Sequence, residues 1–301
     1  MSPKARKIIL VGDNPFHGIS HLSDDRARDR GNEIFNAKYA AKLVMTSLEN
    51  GANGFMFSVS EKTLSILRLI SEPFENRQLS LYAIVPYAYE YVRLATKLGT
   101  VGLGKKLAGR VLLSGNLRAV ASGLKGITTL DPASLLETYI LYEISRIKSV
   151  IGKKLDLKSI LLHEVVTDMA LALDLKWLVK SYIHLISKLK IKPGFETRNF
   201  AYLVHKFKKW NIDFSKIVLV SSFNKVGFQM EPSKAECEKA LLEIPECDVI
   251  AMSILAAGYI QFPEAIKYIE TLPNLSGMVV GVSKEEHASE TFSALSEKFL
   301  E

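Results

Sequence analysis

Residues 217–224 read IVLVSSFN and residues 249–254 read VIAMSI. Each is a short apolar run that ends in polar residues, the pattern of a buried strand whose tip reaches solvent. Six more runs share the form: KIILVG (7–12), GFMFSV (54–59), LYAIVPY (81–87), SILLHE (159–164), KPGFET (192–197) and GMVVGV (277–282). Helix-type sequence lies between them. Eight strands alternating with helices predict an α/β fold, a closed (β/α)8 TIM barrel, with its functional face at the C-terminal strand ends.

The spacing between runs locates an insertion. Most gaps hold one helix and two short loops, but 41 residues (13–53) separate the first two runs and 71 (88–158) separate the third from the fourth. The first long gap carries a polar loop (23–31) and an amphipathic helix from Lys38 to Asn50. The second contains Arg93, Lys97, Lys105, Lys106, Arg110, Arg118 and Lys125, with no Asp or Glu over 91–130. That block carries the whole formal net charge of +7, so the remainder sums to zero. A single cationic block predicts an anion nearby: a substrate phosphate or carboxylate, an acidic partner or a membrane surface. Its glycines, including Gly99, Gly102 and Gly104, match no phosphate-loop pattern and read as a lid. Asp131 and Pro132 then form an N-cap followed by proline at the first helical position, opening a helix to about Ile151. The expected layout is one barrel domain over 1–301, with a basic, helical, lid-like insertion over 88–130 after strand three.

Composition excludes several classes. Apolar residues make up 48% and charged residues 24%, ordinary for a globular chain. The opening MSPKARK lacks the apolar stretch of a signal peptide, and no run of about 18 apolar residues occurs, so no transmembrane segment is expected. Cys237 and Cys247 read as two free thiols in a reducing compartment, which predicts a cytoplasmic protein. The basic block has no aromatic residue after Tyr91, which argues against nucleic-acid binding. Oligomeric state stays open.

The strand tips supply the candidate chemistry. The first ends in Gly12-Asp13-Asn14-Pro15-Phe16-His17-Gly18, with His21 close by; Asp13 and His17 are candidate catalytic groups and Asn14 a substrate contact. The fourth ends in His163-Glu164, with Asp168 beyond, and alternation along a strand lets only one of the pair face the axis. His163 is the expected general acid or base, because imidazole titrates near neutrality. The fifth ends in Glu196-Thr197-Arg198-Asn199: Glu196 is a candidate base, and Arg198 with Asn199 a candidate anion clamp. Asn224 and Lys225 end the sixth, as further anion contacts. The eighth leads through Ser283 and Lys284 into the last helix, where free amides suit a phosphate. Ser283-Lys-Glu-Glu286, like Ser233-Lys-Ala-Glu236, fits a capping box. A divalent metal on His17, His163 and Glu196 is an alternative, without any local ligand spacing of the HExxH kind.

The carboxyl half resembles the aldo/keto reductases. The resemblance is carried by Ile250 through Gly258, Pro263 through Tyr268, Val279 through Ser283, and Leu155 through His163, over about residues 153–299. It implies a (β/α)8 barrel, a catalytic role for His163 and an NADP phosphate near Ser283 and Lys284. That family also uses an aspartate and a tyrosine after strand two and a lysine on strand three. Here strand two reads Phe55-Met-Phe-Ser-Val-Ser-Glu61 and strand three reads Leu81-Tyr-Ala-Ile-Val-Pro-Tyr87, so most of the catalytic tetrad is missing. Tyr87 or Tyr89 would have to replace the proton donor.

Three functional readings follow. The first is an enzyme using acid/base chemistry on a small anionic carbonyl or phosphorylated metabolite, its reaction class open among reductase, lyase and metal-assisted hydrolase. The second is an NADP-dependent reductase with a rebuilt donor. The third is a non-enzymatic barrel that docks an acidic partner or anionic membrane through 91–130.

Overall fold

A computed structural model of the chain describes residues 7–17, 36–71, 79–86, 132–151 and 155–300. The first strand, β1, spans Ile8–Gly12 and runs into a 3-10 turn, Asn14–His17. Then come α1 (Ala37–Glu49), β2 (Gly54–Ser58), α2 (Glu61–Ser71) and β3 (Leu79–Val85). After residues 87–131 follow α3 (Pro132–Ile151), β4 (Leu155–Leu162), α4 (Glu164–Ala172), α5 (Lys176–Lys188) and β5 (Lys192–Thr197). The chain continues through α6 (Phe200–Lys209), β6 (Val218–Ser222), α7 (Lys234–Leu242) and β7 (Asp248–Met252). It ends with α8 (Phe262–Glu270), β8 (Gly277–Gly281) and α9 (Glu285–Phe299).

All eight strands pair parallel in sequence order, and β8 closes on β1. The predicted TIM barrel is therefore the fold. Strand residues two apart point to the same side, and the inward set includes Leu10, Met56, Ile84, Leu161, Val220 and Ile250. These side chains fill the barrel interior. Gly194 belongs to that layer because a Cβ there would lie 2.2 Å from Leu161 Cδ2. The outward set packs under the helices: the Phe195 ring meets Tyr182 at 5.2 Å and Phe207 at 5.0 Å, both edge-on.

Several local expectations need correction. Strand four begins at Leu155 rather than Ser159 and stops at Leu162, so His163 and Glu164 lie beyond it. Ser233 does cap its helix: its hydroxyl accepts from the Glu236 amide and donates to the Glu236 carboxylate. Ser283 does not. Val282 is buried and holds the link against the core, the helix starts at Glu285, and Lys284 occupies the N-cap without a side-chain cap bond. The cationic block, His21, Tyr87, Tyr89 and the Asp131 cap lie outside the described residues.

Candidate active site

A cavity of about 230 Å³ opens at the C-terminal strand ends. Asp13, Asn14, His163, Glu164, Glu196 and Arg198 contribute to its wall. These residues come from the ends of β1, β4 and β5, which lie apart in the sequence and converge only because the sheet closes.

Asp13 follows β1 directly and is 3% exposed. Its Oδ2 accepts from the Ser58 amide at 2.7 Å and faces His17 Nε2 at 3.1 Å. The 3-10 turn makes the second contact: four residues on, it returns His17 over the carboxylate, while buried Phe16 anchors the turn against Phe55 at a centroid distance of 6.4 Å. A carboxylate held by a backbone donor and an imidazole has one fixed orientation. His17 itself does not line the cavity; it reaches it through Asp13.

His163 sits between β4 and α4 as the helix N-cap, with φ −56° and ψ 144°. Its Nδ1 accepts from the Val165 amide at 3.1 Å. In the neutral ring the proton must then be on Nε2. Burial pushes the imidazole below its ordinary range, and the Arg198 charge adds to that, while Glu164 and Asp168 oppose it. His163 is thus a neutral N–H donor beside the cavity.

Because the strand has already ended, the next residue is not turned away. Glu164 lines the cavity too, which overturns the expectation that only one of the pair could. Its amide donates to Glu196 Oε2 at 3.3 Å. Its carboxylate is gripped at both oxygens by Arg198, at 2.8 Å from Nε and 2.6 Å from a terminal nitrogen. Glu196 is pushed up to about 8, first by burial and then by the neighbouring Glu164 charge, with Asp13 adding to the shift. The Glu164 amide and Arg198 work the other way.

The β5 tip is braced from α4. Asp168 accepts from Thr197 Oγ1 at 2.5 Å, from Asn199 Nδ2 at 3.0 Å and from the Arg198 amide at 3.4 Å. Burial raises its carboxyl, against those three hydrogen bonds.

The remaining sequence candidates lie elsewhere. Asn199 is spent on Asp168. Asn224 is fully buried and closes its own turn, donating to the Phe228 carbonyl and accepting from its amide, both at 2.8 Å. Lys225 pairs with Glu264. Ser283 and Lys284 do not contribute to the cavity wall. Among the described wall residues, Arg198 is therefore the one Lys or Arg, against three carboxyls. No three described His, Cys, Asp or Glu side chains form a group that could hold a metal, so His17, His163 and Glu196 do not make one.

Sequence reasoning missed Ser58, Gln229 and Ser253, which also line the cavity. Gln229 and Ser253 carry left-handed backbone at φ 57° and 54°, as do Ala256 at 45° and Ala257 at 60°. Such angles cost a non-glycine residue about 1–2 kcal/mol each. Nothing in serine or alanine announces them in a sequence.

No protein-family model matches the chain, and no curated protein sequence does. Solved structures do match in fold. A proposed aldo-keto reductase from Pseudomonas aeruginosa superposes with a TM-score of 0.58 at 10% identity, over 97% of this chain and 91% of that one. An aldo-keto reductase from Bacillus halodurans, in its holo form, gives 0.55 at 8% identity, over 96% and 87%. The barrel is thus similar in fold to those of aldo-keto reductases, and at this identity the likeness extends to the fold alone.

Proposed function

We propose that the chain is an acid–base enzyme acting on a small carbonyl compound, with Glu196 moving a proton and His163 polarising the carbonyl. One observation carries this reading: a neutral Nε2–H donor and a carboxyl that titrates near 8 line the same cavity. A carboxylate with a raised pKa is matched to taking a proton from carbon near neutral pH. In the proposed step the ionised form of Glu196, a minority below about pH 8, removes a proton from the carbon next to the carbonyl. The C–H electron pair moves into the new C=C bond, and the carbonyl oxygen gains negative charge and accepts from His163 Nε2–H. Return of the proton to carbon regenerates Glu196. Asp13, oriented by His17 and the Ser58 amide, and Asn14 at the rim hold substrate hydroxyls. Arg198 takes a carboxylate or phosphate, if the substrate bears one.

The test is deuterium exchange. Small hydroxycarbonyl compounds in heavy water should gain deuterium next to the carbonyl in the presence of the protein, read by NMR. Glu196→Gln and His163→Ala should each slow exchange by about 10²–10⁴-fold. Exchange at the unaltered rate in Glu196→Gln would remove it from the chemistry.

A second reading, nicotinamide-dependent carbonyl reduction, is supported by the shared fold and by the left-handed turn after β7, which presents backbone to the cavity. The walls fit it poorly. Ser58 at the end of β2 and Ile84 of β3 face the cavity, whereas the resemblance calls for an aspartate and a tyrosine after strand two and a lysine on strand three. We therefore derive no hydride step. Calorimetry decides: no heat from NADPH at about millimolar concentration, where binding is weaker than about 4 kcal/mol, dismisses this reading.

Docking of an acidic partner or anionic membrane through 91–130 stays a separate proposal, tested by deleting 99–126 and measuring vesicle binding. No described helix is long and apolar enough to cross a membrane. Cys237 and Cys247 are both free and buried, which supports our placing the protein in the cytoplasm.

A further inference from the structure

The Glu164–Arg198 pair has the form of a ligand contact made between two side chains of the protein. A guanidinium gripping both oxygens of a carboxylate is the arrangement Arg makes with a bound carboxylate or phosphate. Here the carboxylate comes from the protein's own helix, and both partners face the cavity. The pair is not sealed: the Arg198 side chain is 37% exposed and that of Glu164 17%. The Arg198 guanidinium is thus open enough for another anion to reach it and compete for the same bidentate geometry without unfolding anything.

We propose that Glu164 is a built-in competitor that occupies the Arg198 guanidinium until a ligand carboxylate or phosphate displaces it, and that this exchange is linked to the proton on Glu196. The proposal rests on the reading of the cavity as a site for a small, anion-bearing carbonyl compound. The link is geometric. Glu164 holds Arg198 through its side chain and Glu196 through its amide. Among the described residues, Glu196 is faced by Glu164 from α4, Asp13 just after β1 and Arg198 just after β5, with His163 beside them as the N-cap of α4. When an external anion takes the guanidinium, the Glu164 carboxylate is released and the surroundings of Glu196 become more negative. A nearby like charge makes a carboxyl hold its proton more firmly. Anion capture should therefore draw a proton from solution at pH values where Glu196 is otherwise ionised. That window opens above about 8 and closes toward neutrality, where Glu196 is already protonated.

Inorganic sulfate is the probe, because its charge is constant over this range. Calorimetric titration of the full-length chain at neutral pH should show Glu164→Gln binding sulfate about threefold tighter than the unaltered protein, since the competitor is gone. Arg198→Gln should bind about tenfold more weakly, and Arg198→Lys should fall between, with circular dichroism confirming that each variant is folded. Near pH 8.5, titrations in buffers of different ionisation heat should show a fraction of a proton taken up per sulfate. Glu196→Gln should bind sulfate with no uptake. Unchanged or weaker binding by Glu164→Gln overturns the competitor. Undiminished binding by Arg198→Gln overturns the seat, and uptake that persists in Glu196→Gln overturns the link. Sulfate binding involves no turnover, so these results stand apart from deuterium exchange: chemistry can fail while the exchange of anions holds, and the reverse.

Discussion

Glu196 shows how much one carboxyl can change with its neighbours. In the unfolded chain its pKa is near the reference value of 4.5; in the cavity, burial raises it to about 8. Between those values the folded state binds a proton that the unfolded state has released. Stability contributed at Glu196 is therefore fully present below about 4.5, is lost as pH rises, and changes no further above about 8. Glu196→Gln cannot ionise and escapes this loss. Its advantage over the unaltered protein in urea denaturation should widen from pH 5 to pH 8 by a few kcal/mol and then stay constant. A constant difference over that range would mean that Glu196 is not strained by its charge. The candidacy of Glu196, Asp13 and His163 was legible in the sequence, because strand tips in a barrel all lie on the rim that carries the cavity. Their protonation was not. It depends on which amide reaches His163 Nδ1 and which charges surround Glu196, and those contacts are made across the fold.

At the scale of elements, the buried strands were readable because parallel strands covered on both faces carry unbroken apolar runs. Their ends were not, since the last pairing residue depends on what the neighbouring strand offers. The end of β4 shows the consequence. Two residues of overrun made His163 and Glu164 a strand pair pointing to opposite sides, whereas the helix cap turns both toward the cavity. Helix α4 then does more than cover the sheet. Glu164 and Asp168, one turn apart on the same face, both hold the tip of β5. Asp168→Ala leaves Thr197 and Asn199 without their acceptor. It should cost about 1–3 kcal/mol in chemical denaturation. It should also reduce exchange activity, since Glu196 and Arg198 flank the loosened turn. A variant with unaltered stability would show that solvent replaces those bonds.

For the whole molecule, closure of the barrel decides where chemistry can occur. Topology alone carried the location of the cavity, since eight parallel strands in sequence order place every strand tip on one rim. Charge along the sequence carried less. Asn224, Lys225 and Lys284 lie near that rim in sequence but spend their polar groups on their own turn, on Glu264 and on solvent at a helix start. Whether a loop cation reaches the centre depends on side-chain direction, which periodicity does not encode.

The wall after β7 has one more implication. Ala257 is held in a backbone shape that alanine resists, and glycine would adopt it without penalty. The relief of about 1–2 kcal/mol exceeds the roughly 0.4–1 kcal/mol lost to the looser unfolded chain, so Ala257→Gly should melt slightly higher, and a lower melting temperature would show that the angle is not strained. The rim would also become more pliant, and a more permissive range of accepted compounds would show that discrimination here comes from rigidity as well as from polar contacts.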